Sequence, residues 1–183
     1  MIRFFDFTFS LIGLALFSPL IACFVIAEFT FKKKIFFFQT RIGEREKPFI
    51  IIKLRTMRVG TPNVATHMIS KLNTTKTGLF LRKTKLDELP QLWNVFKGEM
   101  SFVGPRPGLD SQEELIMERR KYDLFRYKPG ITGLAQIKKI DMSNPKLLAE
   151  IDHRMMENLS MSSYLKYLFL TFFGAGKGDN ITN

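Results

Sequence analysis

The sequence predicts an α+β protein, in which a re-entrant N-terminal membrane helix is broken at Ser18-Pro19 and joined to a small, mainly helical cytosolic domain. Three observations support this class. An apolar run contains a proline, two runs rich in phenylalanine and isoleucine flank a polar stretch, and later apolar residues recur at helical spacing. We expect a membrane anchor over residues 1–34, and over residues 35–183 a domain with a β-hairpin and amphipathic helices at the membrane interface.

Residues 7–27 form the apolar segment, and no small-residue cleavage site follows it, so the segment is expected to be retained. Its length of about 20 residues suffices to cross a hydrocarbon layer of ~30 Å. Pro19 deletes a backbone hydrogen bond and bends such a helix into two arms of about 15 Å, each too short to span. Arg3 precedes the segment and the lysines of residues 32–34 follow it, which favours both ends in the cytoplasm. A re-entrant hairpin is favoured, and a kinked span stays open.

A β-hairpin is predicted where residues 35–42 and 49–54, rich in phenylalanine and isoleucine, flank a polar stretch that begins at Gly43. Strand alternation places Lys53 and Arg55 on one face of this hairpin. Both cations can converge there on an anion such as a pyrophosphate, or they can simply be solvated.

Two carboxylates, Asp87 and Glu88, stand before the next predicted helix, for which Thr84 is the start signal and Gly98 the stop. Pro90 fits only in a first turn. The carboxylates would then lie at the positive end of this helix, where backbone amides favour an ionised side chain or a bound phosphate. Ordinary acidic capping explains the spacing equally well. The apolar residues at helical spacing are Leu89, Leu92, Trp93 and Phe96.

Two arginines near the carboxylate pair are candidate phosphate ligands. Arg106 stands between Pro105 and Pro107, and a stiff turn that fixes its direction lowers the entropy lost on binding a phosphate. Arg82 comes just before the carboxylates along the chain. An exposed structural turn and a surface charge cluster are the alternatives for Arg106 and Arg82, respectively.

Other segments carry weaker signals. The polar residues 59–76 predict a loop with one helical turn at 67–72. A charged helix is expected over residues 112–127, mostly as a solvated face. Residues 164–173 are apolar on almost every side but too short to span a membrane, so they predict a helix in the interface or packed beneath the N-terminal arms, with core packing equally favoured.

Composition points toward a membrane surface. The formal net charge is +11, and there are 19 phenylalanines. The alternative for such a basic chain is nucleic-acid binding. The single cysteine, Cys23, excludes an intramolecular disulfide or a cysteine metal cluster, which fits a reducing compartment. His67 and His153 lack metal-ligand spacing, and surface or structural roles are expected for both.

Several ordered segments together resemble the signature of the bacterial sugar transferases, the small monotopic phosphoglycosyl transferases. They are LDELPQLWNV (residues 86–95), SFVGPRPG (101–108) and KPGITGLAQI (128–137), with KLRTM (53–57) upstream. The resemblance covers nearly the whole chain, and several motifs in one short chain make it specific. It implies a re-entrant anchor broken at a Ser-Pro pair, and a location on the cytoplasmic face of the bacterial inner membrane.

The resemblance implies that Asp87 attacks the sugar-bearing phosphorus of a UDP-sugar, which releases UMP and leaves an aspartyl phosphosugar. Undecaprenyl phosphate then attacks this adduct, with Glu88 handling the proton. The implied partners are therefore the UDP-sugar, undecaprenyl phosphate and membrane lipids, without nucleic acid, and the oligomeric state stays open, a homodimer included. The product would begin an O-antigen, capsule or glycoprotein glycan.

The diphosphate also implies Mg²⁺, with Asp87 as its protein ligand. The substrate-binding residues implied for this chain are Lys53, Arg55, Arg82, Pro105, Arg106, Pro107 and Lys128.

The chain departs from the family pattern at three places. Lys128 stands where the family has arginine, so charge is kept and bidentate geometry is lost. Residues 138–140 replace a polar stretch that contains arginine, and Met155 replaces an aromatic residue. The family's sugar-contacting residues are therefore not carried over to these positions. The run of motifs suggests an N-acetylated hexosamine or deoxyhexosamine as the sugar. A polyprenyl diphosphate hydrolase and a basic membrane adaptor remain the alternatives.

Overall fold

The protein is described by a computed structural model over residues 1–30, 34–61 and 74–174. In these parts a long N-terminal helix precedes a β-hairpin and a group of short helices around a small parallel strand pair, which confirms the mixed class in outline. Lys32, Lys33, His67 and the helical turn predicted at 67–72 lie outside the described residues. The helices are α1 Ile2–Thr30, α2 Lys76–Thr84, α3 Gln91–Lys97, α4 Glu113–Lys121, α5 Leu134–Ile137, α6 Pro145–Glu157 and α7 Met161–Phe172. The strands are β1 Phe36–Ile42, β2 Pro48–Leu54, β3 Ser101–Val103 and β4 Gly130–Thr132.

Helix α1 is long and apolar enough to cross a membrane over Ile2–Ile26, with a mean hydropathy of 2.4. It runs through Pro19 as one element, so the predicted break into two arms is not confirmed. Pro19 cannot donate to the carbonyl of Ala15, four residues before it. The Ser18 hydroxyl donates to that carbonyl instead, at 3.0 Å. The Ser-Pro pair therefore keeps this part of the helix hydrogen-bonded.

The predicted β-hairpin is confirmed. Strands β1 and β2 pair antiparallel, and the inner face of β2 buries Phe49 and Ile51 against α3 and its following turn. The Asn94 side chain of α3 docks the free edge of β2, because it donates to the Ile50 carbonyl at 2.8 Å and accepts from the Ile52 amide at 3.3 Å. These contacts hold the hairpin in one position relative to α3.

Helix α3 ends as predicted at Gly98, whose φ of 88° is favourable for glycine. The start signal assigned to Thr84 was wrong. Thr84 is the last residue of α2, and its hydroxyl donates back to the Phe80 carbonyl at 2.9 Å. Asp87 and Glu88 lie in a separate 3-10 turn, Leu86–Glu88, so they precede α3 by a turn instead of forming its first turn.

Strands β3 and β4 pair in parallel, in register Ser101 with Gly130 and Val103 with Thr132. They were not predicted, because three residues are too few to show alternation. A glycine is required at residue 130, where a Cβ would lie 2.1 Å from the Gly104 nitrogen. This close approach places the turn that carries Arg106 directly beside β4.

The helix predicted over residues 112–127 is shorter than expected, because α4 ends at Lys121 and a 3-10 turn, Leu124–Arg126, follows. Arg119 is buried, at 4% exposed, and donates to Asp152 of α6 at 2.8 Å. His153, beside Asp152, stacks on Tyr122 with ring centroids 4.8 Å apart. Helix α7 confirms the helix expected over residues 164–173.

The base of α1 is tied to the rest of the chain by a buried carboxylate. Asp6 accepts hydrogen bonds from the Tyr164 hydroxyl at 2.6 Å, the Ser101 hydroxyl at 3.0 Å and the Phe102 amide at 3.1 Å. Arg3, one turn earlier, donates to two carbonyls at the C-terminal end of α3. The apolar helix and the short helices therefore share one framework.

Candidate active site at the Asp87-Glu88 pair

The inner face of the hairpin delivers cations and polar groups to one side of the molecule. Register pairs Phe37 with Lys53, Gln39 with Ile51 and Arg41 with Phe49. Residues directly opposite one another share a face of an antiparallel pair, and alternation keeps every second residue there. Gln39, Arg41 and Lys53 therefore lie on the same face.

Glu88 is the point at which two of the predicted cations, Lys53 and Arg106, meet. Lys53 Nζ lies 2.8 Å from Glu88 Oε1, and Arg106 Nη2 lies 3.5 Å from the same oxygen. Burial alone would raise the pKa of Glu88, but Lys53, Arg106 and Lys85 outweigh it and hold that pKa at about 2. The structure thus brings together three residues that lie far apart in sequence.

Asp87 is buried, at 7% exposed, in the same 3-10 turn. Consecutive side chains of such a turn leave the backbone about 120° apart, so Asp87 and Glu88 can serve different partners. The turn is set by Lys85, whose left-handed backbone, with φ of 59°, ends α2 and redirects the chain. Glu88 thus contacts the cations, and Asp87 is the neighbouring residue of the same turn.

The other two predicted cations of this region have structural contacts. Arg82 Nε donates to the buried Thr56 hydroxyl at 2.8 Å, which ties α2 to the end of the hairpin. Arg55 donates to the Phe36 carbonyl at 3.2 Å and lies over the Phe37 ring at 5.5 Å. Of the two strand cations expected to converge, Lys53 contacts Glu88, whereas Arg55 packs on its own hairpin.

The turn around Arg106 is held by its backbone, as its prolines predict. The Pro105 carbonyl accepts from the Gly130 amide at 2.9 Å, and the Gly108 carbonyl accepts from the Ile42 amide at 3.0 Å. Pro105 and Pro107 are buried, whereas Arg106 is partly exposed and reaches Glu88. The turn therefore presents one arginine from a fixed frame.

Lys128 lies elsewhere. A Cβ on Gly98 would lie 3.4 Å from Lys128 Nζ and 2.9 Å from Arg3 Nη2, which places both cations at the C-terminal end of α3. Glu88 precedes the other end of that helix. The structure therefore does not bring Lys128 to the carboxylate pair, and its position suits the negative end of the helix dipole.

Sequence reasoning missed Arg41, which contacts both Gln39 and the Pro107 carbonyl. The available signal was alternation, since Gln39 and Arg41 are polar residues two apart in an otherwise apolar strand. Sequence reasoning also missed the buried ion pair of Arg119 and Asp152, two residues that lie 33 positions apart in the chain.

Among the described residues, no group of three or more His, Cys, Asp or Glu side chains could hold a metal ion by itself. Mg²⁺ in phosphate-transferring sites typically takes one or two carboxylates and completes its shell with phosphate oxygens and water. The buried carboxylate of Asp87, beside the cation-held Glu88, matches that donor set. The residues present therefore fit Mg²⁺ when a diphosphate supplies the remaining ligands.

The adjacent carboxylates, the cations that meet at Glu88 and the apolar helix α1 define a membrane protein whose site suits a phosphorylated substrate. A family model described as bacterial sugar transferase matches residues 1–178. The chain therefore belongs to the bacterial sugar transferase family, and it is a transferase.

Several relatives share much of this chain. A protein of Bacillus subtilis named as the uncharacterized sugar transferase EpsL is 39% identical over 173 residues, which cover 92% of this chain and 84% of the relative. A UDP-glucose:undecaprenyl-phosphate glucose-1-phosphate transferase of Caulobacter vibrioides is 37% identical over 76% of this chain. A Klebsiella pneumoniae protein of the same name is 36% identical over 92% of this chain. The chain spans 57% of the Caulobacter relative and 38% of the Klebsiella relative.

Proposed function

We propose that this protein transfers a sugar 1-phosphate from a UDP-sugar to undecaprenyl phosphate, yielding UMP and an undecaprenyl diphosphate sugar. One observation carries the proposal: a single oxygen of Glu88 bridges Lys53 and Arg106 next to the buried Asp87. Cations fixed around a carboxylate suit a diphosphate, which offers the same kind of oxygen with more charge. The names of the Caulobacter and Klebsiella relatives agree with this reaction.

In the first step an Asp87 carboxylate oxygen bonds to the sugar-bearing phosphorus, and the bond from that phosphorus to the bridging oxygen breaks. UMP leaves with the bonding electron pair. In the second step a phosphate oxygen of undecaprenyl phosphate bonds to the same phosphorus, and the aspartyl–phosphorus bond breaks. Asp87 regains its carboxylate, so two transfers of the same kind share one pocket.

Glu88 has two states in this scheme. Without substrate, Lys53 and Arg106 keep it ionised, and a carboxylate with a pKa of about 2 accepts protons poorly at neutral pH. Phosphate oxygens that bind Lys53 and Arg106 compete with Glu88 for those cations. The pKa of Glu88 then rises because burial remains, and Glu88 becomes able to accept the proton of the incoming lipid phosphate.

Mg²⁺, when bound, would neutralise diphosphate charge during both transfers, with Asp87 as its protein ligand. Arg106 would bind the transferring phosphoryl group from its rigid turn, and Lys53 would bind from the hairpin. Both cations are already positioned, so little side-chain ordering is needed when substrate arrives.

We propose a re-entrant placement of α1 in the bacterial inner membrane, with both helix ends and the catalytic domain on the cytoplasmic face. Arg3 and Lys34, which flank the helix, support this orientation. Because α1 is one uninterrupted helix, the re-entrant placement requires α1 to bend at Pro19 and keep its hydrogen bonds. The hydrogen bond of the Ser18 hydroxyl permits such a bend. A reporter fused to the N-terminus tests this: cytoplasmic exposure supports it and periplasmic exposure overturns it.

The donor is proposed to be a UDP-linked N-acetylated hexosamine or deoxyhexosamine, and the product to prime O-antigen, capsule or glycoprotein glycan assembly. A panel of UDP-sugars, with Mg²⁺ and with or without undecaprenyl phosphate, tests reaction and donor together through UMP release. Lipid-dependent release from one N-acetylated sugar is the expected result. Selective use of UDP-glucose would overturn the sugar assignment alone.

The role of Asp87 is tested with Asp87→Asn beside Asp110→Asn, a change at an exposed aspartate. Asp87→Asn should abolish UMP release and remove a phosphosugar adduct detected by intact-protein mass, while Asp110→Asn keeps both. Equal release by Asp87→Asn would exclude Asp87 as the nucleophile. Phosphate release from undecaprenyl diphosphate with no nucleotide turnover would instead indicate a hydrolase.

A further inference from the structure

We propose that Arg41 is a positioning residue that fixes Arg106 for phosphate binding by holding the carbonyl of Pro107. The inference rests on the proposed function, because it assigns Arg41 to the phosphate pocket of that reaction. Arg41 lies on the same hairpin face as Lys53. Lys53 pairs with Phe37 near the start of β1, whereas Arg41 lies near the end of that strand.

The side chain of Arg41 makes directed contacts with two partners. Its Nη1 donates to the Pro107 carbonyl at 3.1 Å, and its Nε donates to Gln39 Oε1 at 2.9 Å. Nη2 donates to the same Gln39 oxygen. Gln39 is buried, at 5% exposed, so it orients the guanidinium toward the turn.

The contact with Pro107 completes the support of the turn. Backbone amides hold the carbonyls of Pro105 and Gly108, whereas the carbonyl that directly follows Arg106 is held by a side chain. A change at Arg41 can therefore loosen the turn just where Arg106 emerges. The adjacent Ile42 amide binds Gly108, so β1 grips the turn through two consecutive residues.

The charge of Arg41 adds to the pocket. Burial and, less strongly, Arg106 lower the pKa of Arg41 to about 10, while Glu88 opposes the shift. At neutral pH Arg41 stays a cation near a second arginine, an arrangement that an arriving diphosphate would stabilise. Lysine would keep the charge but has a single nitrogen, so it cannot contact Gln39 and Pro107 with the same geometry.

A double-mutant cycle separates positioning from direct binding. Arg41→Gln should lower kcat/KM for the UDP-sugar by about ten-fold or more, as for loss of a hydrogen bond from a charged donor. In an Arg106→Gln background the same change should cost less than about three-fold, since its target is already lost. Arg41→Lys should fall between wild type and Arg41→Gln. The matched control is Lys47→Gln, an exposed cation on the same hairpin.

A second readout does not need turnover. Inorganic pyrophosphate should raise the midpoint of thermal unfolding of the wild type and of Lys47→Gln, and should raise that of Arg41→Gln and Arg106→Gln less. An equal effect of Arg41→Gln in both backgrounds, or full activity and full pyrophosphate stabilisation in Arg41→Gln, would overturn the positioning role. If the wild type releases no UMP, the proposed function fails first, while pyrophosphate stabilisation still reports on Arg41.

Discussion

Replacing Lys53 by methionine removes the nearer of the two cations that keep Glu88 ionised, at 2.8 Å against 3.5 Å for Arg106. A charge-assisted hydrogen bond is worth about 1.5–3 kcal/mol, which corresponds to about one to two pKa units. Burial, which opposes ionisation of Glu88, remains after the substitution. The pKa of Glu88 should therefore rise by that amount from about 2, toward its ordinary value of 4.5.

The measurement is the carboxyl ¹³C shift of labelled glutamate in detergent-solubilised protein, with the Glu88 signal assigned from Glu88→Gln. In the wild type this carboxylate should stay ionised as the pH falls well below 4.5, the ordinary pKa. In Lys53→Met a titration should appear within that range, whereas Lys53→Arg and the exposed Lys83→Met should resemble the wild type. A Glu88 signal that titrates identically in Lys53→Met and wild type would refute the electrostatic reasoning.

The same shift has a consequence for stability. Because folding lowers the pKa of Glu88, its ion pairs stabilise the native state at pH above the ordinary value of 4.5, and this contribution is lost as the pH falls from 4.5 toward about 2. In Lys53→Met the contribution should be smaller throughout and should disappear at a higher pH. Unfolding midpoints followed from pH 7 down toward pH 2 measure this difference.

Substitutions at three further sets of contacts test the framework, chiefly through the midpoint of thermal unfolding. Asp6→Ala leaves Tyr164 and two other donors without their acceptor and should lower the free energy of unfolding by about 3 kcal/mol or more. Tyr164→Phe removes one donor and should lower it by about 1 kcal/mol. Equal effects of the two substitutions would contradict the network. Arg119→Met leaves Asp152 buried without its cation and should lower the free energy of unfolding by about 3–5 kcal/mol. Adding Asp152→Leu to the same chain should restore most of this stability. No recovery in the double mutant would argue against an ion pair. Asn94→Ala should lower both stability and UMP release, because it undocks the strand that carries Lys53; unchanged turnover would separate hairpin docking from catalysis.

Local signals predicted the hairpin and the end of α3, because alternation and a glycine in a left-handed conformation act within a few residues. Similar local reasoning failed at Thr84, where a residue typical of helix starts ends the preceding helix. At Pro19 the predicted break is not confirmed, and the hydroxyl of Ser18, the residue just before it, bonds to the carbonyl that Pro19 leaves without its amide donor. In both places the side chain bonds back to an earlier carbonyl, which the residue type alone does not reveal.

Residues of the candidate site could be predicted where a short motif identified them. They could not be predicted where their role depends on a contact between segments distant in sequence. Glu88 and Arg106 came from two short motifs, and Lys53 from alternation. Arg41 required the register of the hairpin against the turn, which strand pattern alone does not give. Arg119 fell on the partial stripe of the charged helix, but its ion pair was not predicted because its partner, on α6, is distant in sequence.

The start of α1 belongs to the framework of the candidate site as much as to the anchor. Arg3 donates to the Val95 and Phe96 carbonyls at 2.6 and 2.7 Å, so the apolar helix is joined to the C-terminal end of α3. The turn with Asp87 leads directly into the other end of α3. A shift of α1 in the bilayer would therefore carry the carboxylates with it. The proposed reaction, which joins a soluble donor to a lipid phosphate, would need its nucleophile at a fixed depth, and the short polar contacts of Arg3 would fix the carboxylates relative to the helix base.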